Sequence, residues 1–266
     1  FSIRNNIDEL VKSELENINM GKSILITGAS SGIGYALSYE MARRGYSVGL
    51  AARRIEILEK MRDELSSLYP DQKFTAIQLD VAEYESVPAA MQKTVDELQG
   101  LDIVVANAGV ARSENIGKGK FVNSARTIET NLTGAMATVD AAVSYFLEKG
   151  SGHIVGISSV AGLRGMPGSS AYSTSKAGLS LYFEALRAEV YFKNIDVTIL
   201  HPGFIDTPLN NMLPTRPFLI PVEKGAKLIA SMIEKKVKSS TVPVFPWNIF
   251  SFLIKLLPVN ILARMK

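Results

Sequence analysis

Short runs in which nearly every position is apolar alternate along the chain with longer segments whose apolar residues return every three or four positions. The runs lie at 22–27, 47–51, 74–79, 101–106, 153–157, 195–200 and 241–244, and most are rich in Val, Ile and Leu. A strand apolar on both faces belongs to a sheet covered by helices above and below, whereas a half-solvated strand alternates apolar with polar. Segments of helical period lie at 33–44, 55–68, 83–98, 123–149, 170–192 and 223–236. This alternation predicts right-handed crossovers and an α/β fold: one doubly wound domain around a mostly parallel, seven-stranded sheet.

Two stretches break the pattern. Between Pro202 and Pro221 stand Pro208, Pro214 and Pro217, so 202–222 is expected as a long connection of the kind that covers a site. From 246 to 266 the chain is strongly apolar, with Phe250, Leu253, Ile254 and Leu257 on one helical stripe that Phe252 and Leu256 widen. Three uses for this tail stay open: packing on the body or a partner subunit, walling an apolar substrate, or in-plane contact with a membrane. Residues 1–20 read as an extension ahead of the domain at 21–245; the sequence opens on Phe1, and its first stretch is studded with acidic residues and lacks an apolar centre.

Composition narrows the chemistry. A chain of 266 residues can bury about 70–75% of its unfolded surface, so its core needs no staples. The absence of Cys excludes a disulfide framework, a thiolate metal site and a cysteine nucleophile. Lys and Arg number 29 against 26 Asp and Glu, without a basic block, which is not the footprint of a nucleic-acid binder. No apolar run reaches the roughly 18 residues of a bilayer span, so a cytoplasmic protein is expected, with membrane association through the tail as the further reading. No His, Asp and Glu cluster has metal-ligand spacing, and no metal is expected; His153 and His201 read as structural histidines bonded to backbone.

The candidate chemistry sits at strand ends. Thr27-Gly28-Ala29-Ser30-Ser31-Gly32-Ile33-Gly34 follows the first strand and opens the first helix, where glycines allow close approach and free N–H groups attract a pyrophosphate. Its G-x-x-x-G-x-G spacing departs from the common G-x-G-x-x-G. After the second strand the chain reads Ala52-Arg53-Arg54, with no carboxylate for a ribose 2'-hydroxyl and a guanidinium available for a 2'-phosphate, so NADP(H) is expected ahead of NAD(H). Tyr172 and Lys176 stand one helical turn apart, and an ammonium near a phenol favours the phenolate, lowering its pKa. Ser158-Ser159 ends the fifth strand, at the edge where open α/β sheets bind ligands.

As an ordered set, T-G-x-x-x-G-x-G, Asp80-Val81, Asn107-Ala108-Gly109, Tyr172-x-x-x-Lys176 and Pro202-Gly203 resembles the short-chain dehydrogenase/reductase family over about 22–233. The resemblance implies a Rossmann-type domain with a catalytic tetrad of Asn131, Ser159, Tyr172 and Lys176, Ser158 being the alternative serine. It implies that Asn131 perturbs its helix and holds a proton-relay water. It further implies that Arg53 meets the cofactor phosphate, Asp80 and Val81 the adenine, Asn107 and Gly109 the adenosine side, Lys176 the nicotinamide ribose, and Ile205 and Thr207 the carboxamide. The expected activity is interconversion of a carbonyl and a secondary alcohol, on a hydrophobic substrate given Phe204, Leu209, Met212, Leu213 and Phe218 in the long connection. The alternatives are a reductase of carrier-bound 3-oxoacyl groups and a cofactor-binding regulator without turnover. A homodimer or homotetramer, pairing the helices at 123–149 and 170–192, is expected from the same resemblance.

Overall fold

The computed structural model describes residues 22–112 and 115–264; the expected extension at 1–20 lies outside them. Seven strands form one parallel sheet: β1 Ser23–Thr27, β2 Ser47–Ala52, β3 Phe74–Gln78, β4 Ile103–Ala106, β5 Gly152–Ile157, β6 Ile195–Pro202 and β7 Ser239–Val242. Their order is β3-β2-β1-β4-β5-β6-β7, every neighbouring pair parallel. The helices are α1 Gly32–Arg43, α2 Ile55–Leu68, α3 Val87–Leu98, α4 Phe121–Ile128, α5 Gly134–Lys149, α6 Ser170–Glu189, α7 Val222–Glu234, α8 Trp247–Leu256 and α9 Val259–Leu262. The chain is thus a single Rossmann-like α/β domain.

Alternation along each strand divides the core into two layers. In β1, Ile24 and Ile26 join the layer under α1, α2 and α7, with Leu37, Met41, Leu58, Leu65 and Ile229, while Leu25 points the other way. That second layer lies under α3, α5 and α6 and contains Met91, Val139, Phe146, Leu179 and Phe183. A strand can satisfy both layers only if both its faces are apolar, which is why the period-two polar signal is missing from these runs.

Boundaries differ from expectation where local chemistry intervenes. The helix expected at 83–98 opens with a 3-10 turn at Tyr84–Ser86, and Pro88 sits in the first turn of α3, where its missing N–H leaves no bond unmade. The helix expected at 123–149 starts at Phe121 and is broken by a π-helical turn, Glu129–Thr133, between α4 and α5. The seventh strand, expected at 241–244, ends at Val242 because Pro243 has no N–H to extend the ladder. The connection after β6 is closed on itself: Ile205 bridges Ile220, and Arg216 Nη1 donates to Asp206 Oδ1 at 2.5 Å.

His153, expected to bond to backbone, instead meets the Thr198 hydroxyl at 2.8 Å inside the sheet. Burial lowers its pKa from 6.5 to about 4, so the folded chain keeps it neutral where the unfolded chain would protonate. This contribution to stability is present above pH 6.5 and is lost as the pH falls towards 4, amounting in full to about 3 kcal/mol. Urea unfolding at pH 7.5 and 4.5 should therefore show the wild type losing about 2–3 kcal/mol more than His153→Gln over that interval. Equal losses in the two proteins would remove His153 as the cause.

Candidate active site

Where the strand order reverses, between β1 and β4, the two crossovers leave on opposite faces and a cleft of about 420 Å³ opens at the carboxyl ends of the strands. Its floor is held by side chains that satisfy backbone groups. The Thr27 hydroxyl donates to Val105 O at 3.2 Å and accepts from the amides of Asn107 at 3.0 Å and Ala108 at 3.1 Å. Asn107 Nδ2 donates back to Thr27 O at 2.8 Å.

The first turn of the fold lies against this floor. Gly28 has φ +70°, and a Cβ there would stand 2.8 Å from the Ala108 Cα. At Gly34 a Cβ would come within 2.4 Å of the Gly28 carbonyl oxygen and 2.6 Å of Asn107 Nδ2, so α1 can start this close to β4 only as glycine. Ser31 precedes α1 in extended conformation, and the helix begins at Gly32 with its N-terminus against the cleft. A turn shaped this way exposes N–H groups and a positive helix end to an anion, and so fits a dinucleotide diphosphate.

Of the residues singled out from sequence, Gly28, Ser30, Ser31, Gly32, Ile33, Arg53, Asp80, Val81, Asn107, Ala108, Gly109, Ser159, Tyr172, Lys176, Pro202, Gly203, Ile205 and Thr207 all line the cleft. Gly34 and Asn131 stand behind the lining. The lining also includes residues that no sequence signal marked, among them Val110, Thr130 and Asn210, and Leu209 of the long connection, marked there as apolar, joins it. Arg54 lines it too: its Nη2 donates to Ser30 Oγ at 2.9 Å and Ser30 O at 3.2 Å. Its neighbour Arg53 pairs with Asp80 at 3.6 Å and is largely exposed. Sequence had pointed to Arg53 alone, yet the two guanidiniums bracket the same end of the cleft.

At the opposite end, burial governs the titratable groups. Tyr172 is partly exposed along the cleft, but burial around it raises its pKa, opposed by a hydrogen bond with the Ser159 side chain. The phenol pKa, expected to be lowered by Lys176, is instead raised by burial, and the bond that opposes the rise comes from Ser159. Lys176 itself is almost wholly buried, which pushes its pKa down to about 8. Its Nζ donates to Ile157 O at 2.8 Å and lies 6.0 Å from the centre of the Tyr172 ring. Both serines line the cleft; Ser159 Oγ accepts from Ala161 N at 3.1 Å, whereas Ser158 Oγ turns to Lys176 O and Ser180 Oγ, both at 2.9 Å, and braces α6. His201, at the end of β6, is buried, which lowers its pKa, and its Nε2 lies 3.5 Å from Ser239 Oγ.

Asn131 occupies the π turn, fully buried. Its Oδ1 accepts from Val110 N at 2.7 Å, and its Nδ2 donates to Val110 O at 2.8 Å and Ser175 Oγ at 3.2 Å. The side-chain amide thus joins the strand-β4 extension to α6.

The tail, for which packing on the body was one of the uses left open, packs behind the cleft. Trp247 of α8 packs on Gly203, where a Cβ would lie 2.0 Å from the indole Nε1. It meets Phe204 at 5.9 Å and Phe218 at 5.7 Å between ring centres, so the tail and the connection after β6 share an aromatic cluster. Arg164 Nη2 adds a bond to Leu257 O at 3.1 Å. Among the described residues no group of three or more His, Cys, Asp or Glu is placed to hold a metal ion, and no helix is long and apolar enough to cross a membrane.

Comparison with known proteins agrees with this architecture. The family model for short chain dehydrogenase matches residues 22–217. An uncharacterized oxidoreductase of Mycobacterium tuberculosis is 38% identical over 244 residues, covering 91% of this chain and 96% of the relative. Among solved structures, an alcohol dehydrogenase from the archaeon Thermococcus sibiricus, complexed with 5-hydroxy-NADP, superimposes with a TM-score of 0.75 at 27% identity, over 83% of this chain and 95% of that one. A family member from Burkholderia phymatum in complex with NAD has a TM-score of 0.76 at 22% identity, over 83% of this chain and 88% of the other. With a family model spanning most of its length and a relative this similar end to end, the chain belongs to the short-chain dehydrogenases/reductases, a family of oxidoreductases.

Proposed function

We propose that the protein uses NADP(H) to interconvert a carbonyl and a secondary alcohol on a hydrophobic substrate, with the connection at 202–222 as the lid of the substrate end. The observation that carries this reading is that Ser159, Tyr172 and Lys176 line one end of a cleft whose other end is a glycine cradle. When bound, the nicotinamide supplies or accepts the hydride.

The residues of the chain manage one proton. A phenol whose pKa burial raises stays protonated through the neutral range and can donate to a carbonyl oxygen as negative charge gathers there. Ser159 gives that oxygen a second hydrogen bond, placed before the reaction begins. Lys176, whose pKa burial lowers to about 8, carries its proton at neutral pH, with its Nζ 6.0 Å from the centre of the Tyr172 ring. Asn131 is a positioning residue, holding Val110 and α6 in register.

Preference for the phosphorylated cofactor is supported by Arg54 beside Ser30 and Arg53 beside Asp80, by the absence of a carboxylate at the end of β2, and by the NADP derivative in the Thermococcus sibiricus enzyme. A hydrophobic substrate is supported by Val110, Ile205, Pro208 and Leu209 along the cleft, backed by the cluster around Trp247.

Consumption of NADPH should be followed over ketones and aldehydes of increasing chain length, with the longer apolar ones turning over best. Tyr172→Phe should lower turnover by about 10²-fold or more while NADPH binding, measured by calorimetry, is preserved; undiminished turnover would refute the proton assignment. Replacing both Arg53 and Arg54 by Ser should weaken NADPH binding by about tenfold or more and leave NADH binding nearly unchanged. Equal weakening of the two would refute the preference.

A further inference from the structure

Helix α8 carries apolar side chains on two faces. One stripe, Trp247, Phe250, Ile254 and Leu257, repeats at helical spacing and runs along the domain side; Trp247 is buried on Gly203, Ile254 and Leu257 are half-buried, and Phe250, 44% exposed, meets Phe218 at 5.0 Å between ring centres. The other, Ile249, Phe252, Leu253 and Leu256, has the same spacing and faces solvent, Phe252 and Leu256 each being 66% exposed. A helix needs one apolar stripe to pack on a domain; a second stripe left in water marks a surface that another phase or molecule covers.

Charge separates the candidates for that cover. The segments 207–221 and 239–266 contain no Asp or Glu, yet they hold Arg216, Lys255, Arg264 and Lys266. Arg216 is taken up by Asp206, which leaves the cations of the tail. A second copy meeting this face across a two-fold axis would present the same acid-free surface, with no counter-charge to offer. Lipid phosphates supply that charge, and lipid chains supply the apolar medium. Ten residues of helix extend only about 15 Å, half the hydrocarbon thickness, so α8 can lie in such a surface and cannot cross it.

We propose that α8 seats the protein in the plane of an anionic phospholipid surface, with the Ile249, Phe252, Leu253 and Leu256 stripe below the headgroups and Lys255 and Arg264 at the lipid phosphates. Because α8 is also the wall behind Gly203, attachment holds the cleft beside the lipid. This inference does not rest on the proposed reaction.

The test is flotation of the full chain, without cofactor, on vesicles of phosphatidylcholine alone and of equal parts phosphatidylcholine and phosphatidylglycerol. Wild type should float with the mixed vesicles and much less with the neutral ones. Phe252→Glu combined with Leu256→Glu should reduce the floated fraction by about tenfold or more, with an unchanged melting temperature since both side chains are exposed. Lys255→Glu combined with Arg264→Glu should abolish the preference for phosphatidylglycerol. Wild type that fails to float, or a Phe252→Glu, Leu256→Glu protein that floats as well as wild type, overturns the proposal. So does a molecular mass by light scattering that falls with those substitutions while flotation is absent, since the face would then belong to a second copy.

Discussion

Two neighbouring parallel strands that part company leave backbone N–H and C=O groups without ladder partners, and at that divergence this protein places its cleft. Thr27 and Asn107 repair the loss between the ends of β1 and β4, and Asn131 does the same one turn further on by gripping both backbone groups of Val110. Unpaired buried backbone groups are expensive, so these bonds fix how far the two halves separate. The glycine cradle, the start of α1 and the position of Lys176 are all set relative to that floor.

Burial then decides the electrostatics. The same packing that removes Lys176 from water lowers its affinity for a proton, and the packing about Tyr172 raises that of the phenol. Both shifts favour the uncharged form of the side chain. Ser158 and Ser159, adjacent in sequence, divide the labour: one anchors α6 from beneath, and the other meets the phenol, because successive residues of an extended chain point to opposite sides.

The sheet and its helices were legible because apolar runs and helical periods record burial directly. Element ends were less so, since Pro243 and Pro88 act through a missing donor that hydrophobic patterning does not register. The cleft's lining was legible where a motif ties residue type to backbone shape, as at Gly28 and Gly32. Arg54 was obscured by its neighbour: two adjacent arginines look alike until one is seen bonded to Ser30. The π turn at Asn131 was expected only as a disturbed helix, and its bonds to Val110 and Ser175 depend on residues distant in sequence. Nothing in the tail's composition told Trp247 from its apolar neighbours, because its contact with Gly203 spans more than forty positions.

That contact has a further consequence. Trp247 is the single tryptophan of the chain, and it rests on Gly203 of the cleft wall. All indole emission from the native protein therefore originates at one known spot, beside the place where a reduced nicotinamide, which absorbs in that spectral region, would lie. The molecule carries its own optical gauge for the state of the wall, sensitive both to what fills the crevice and to whatever displaces the helix from which the ring projects.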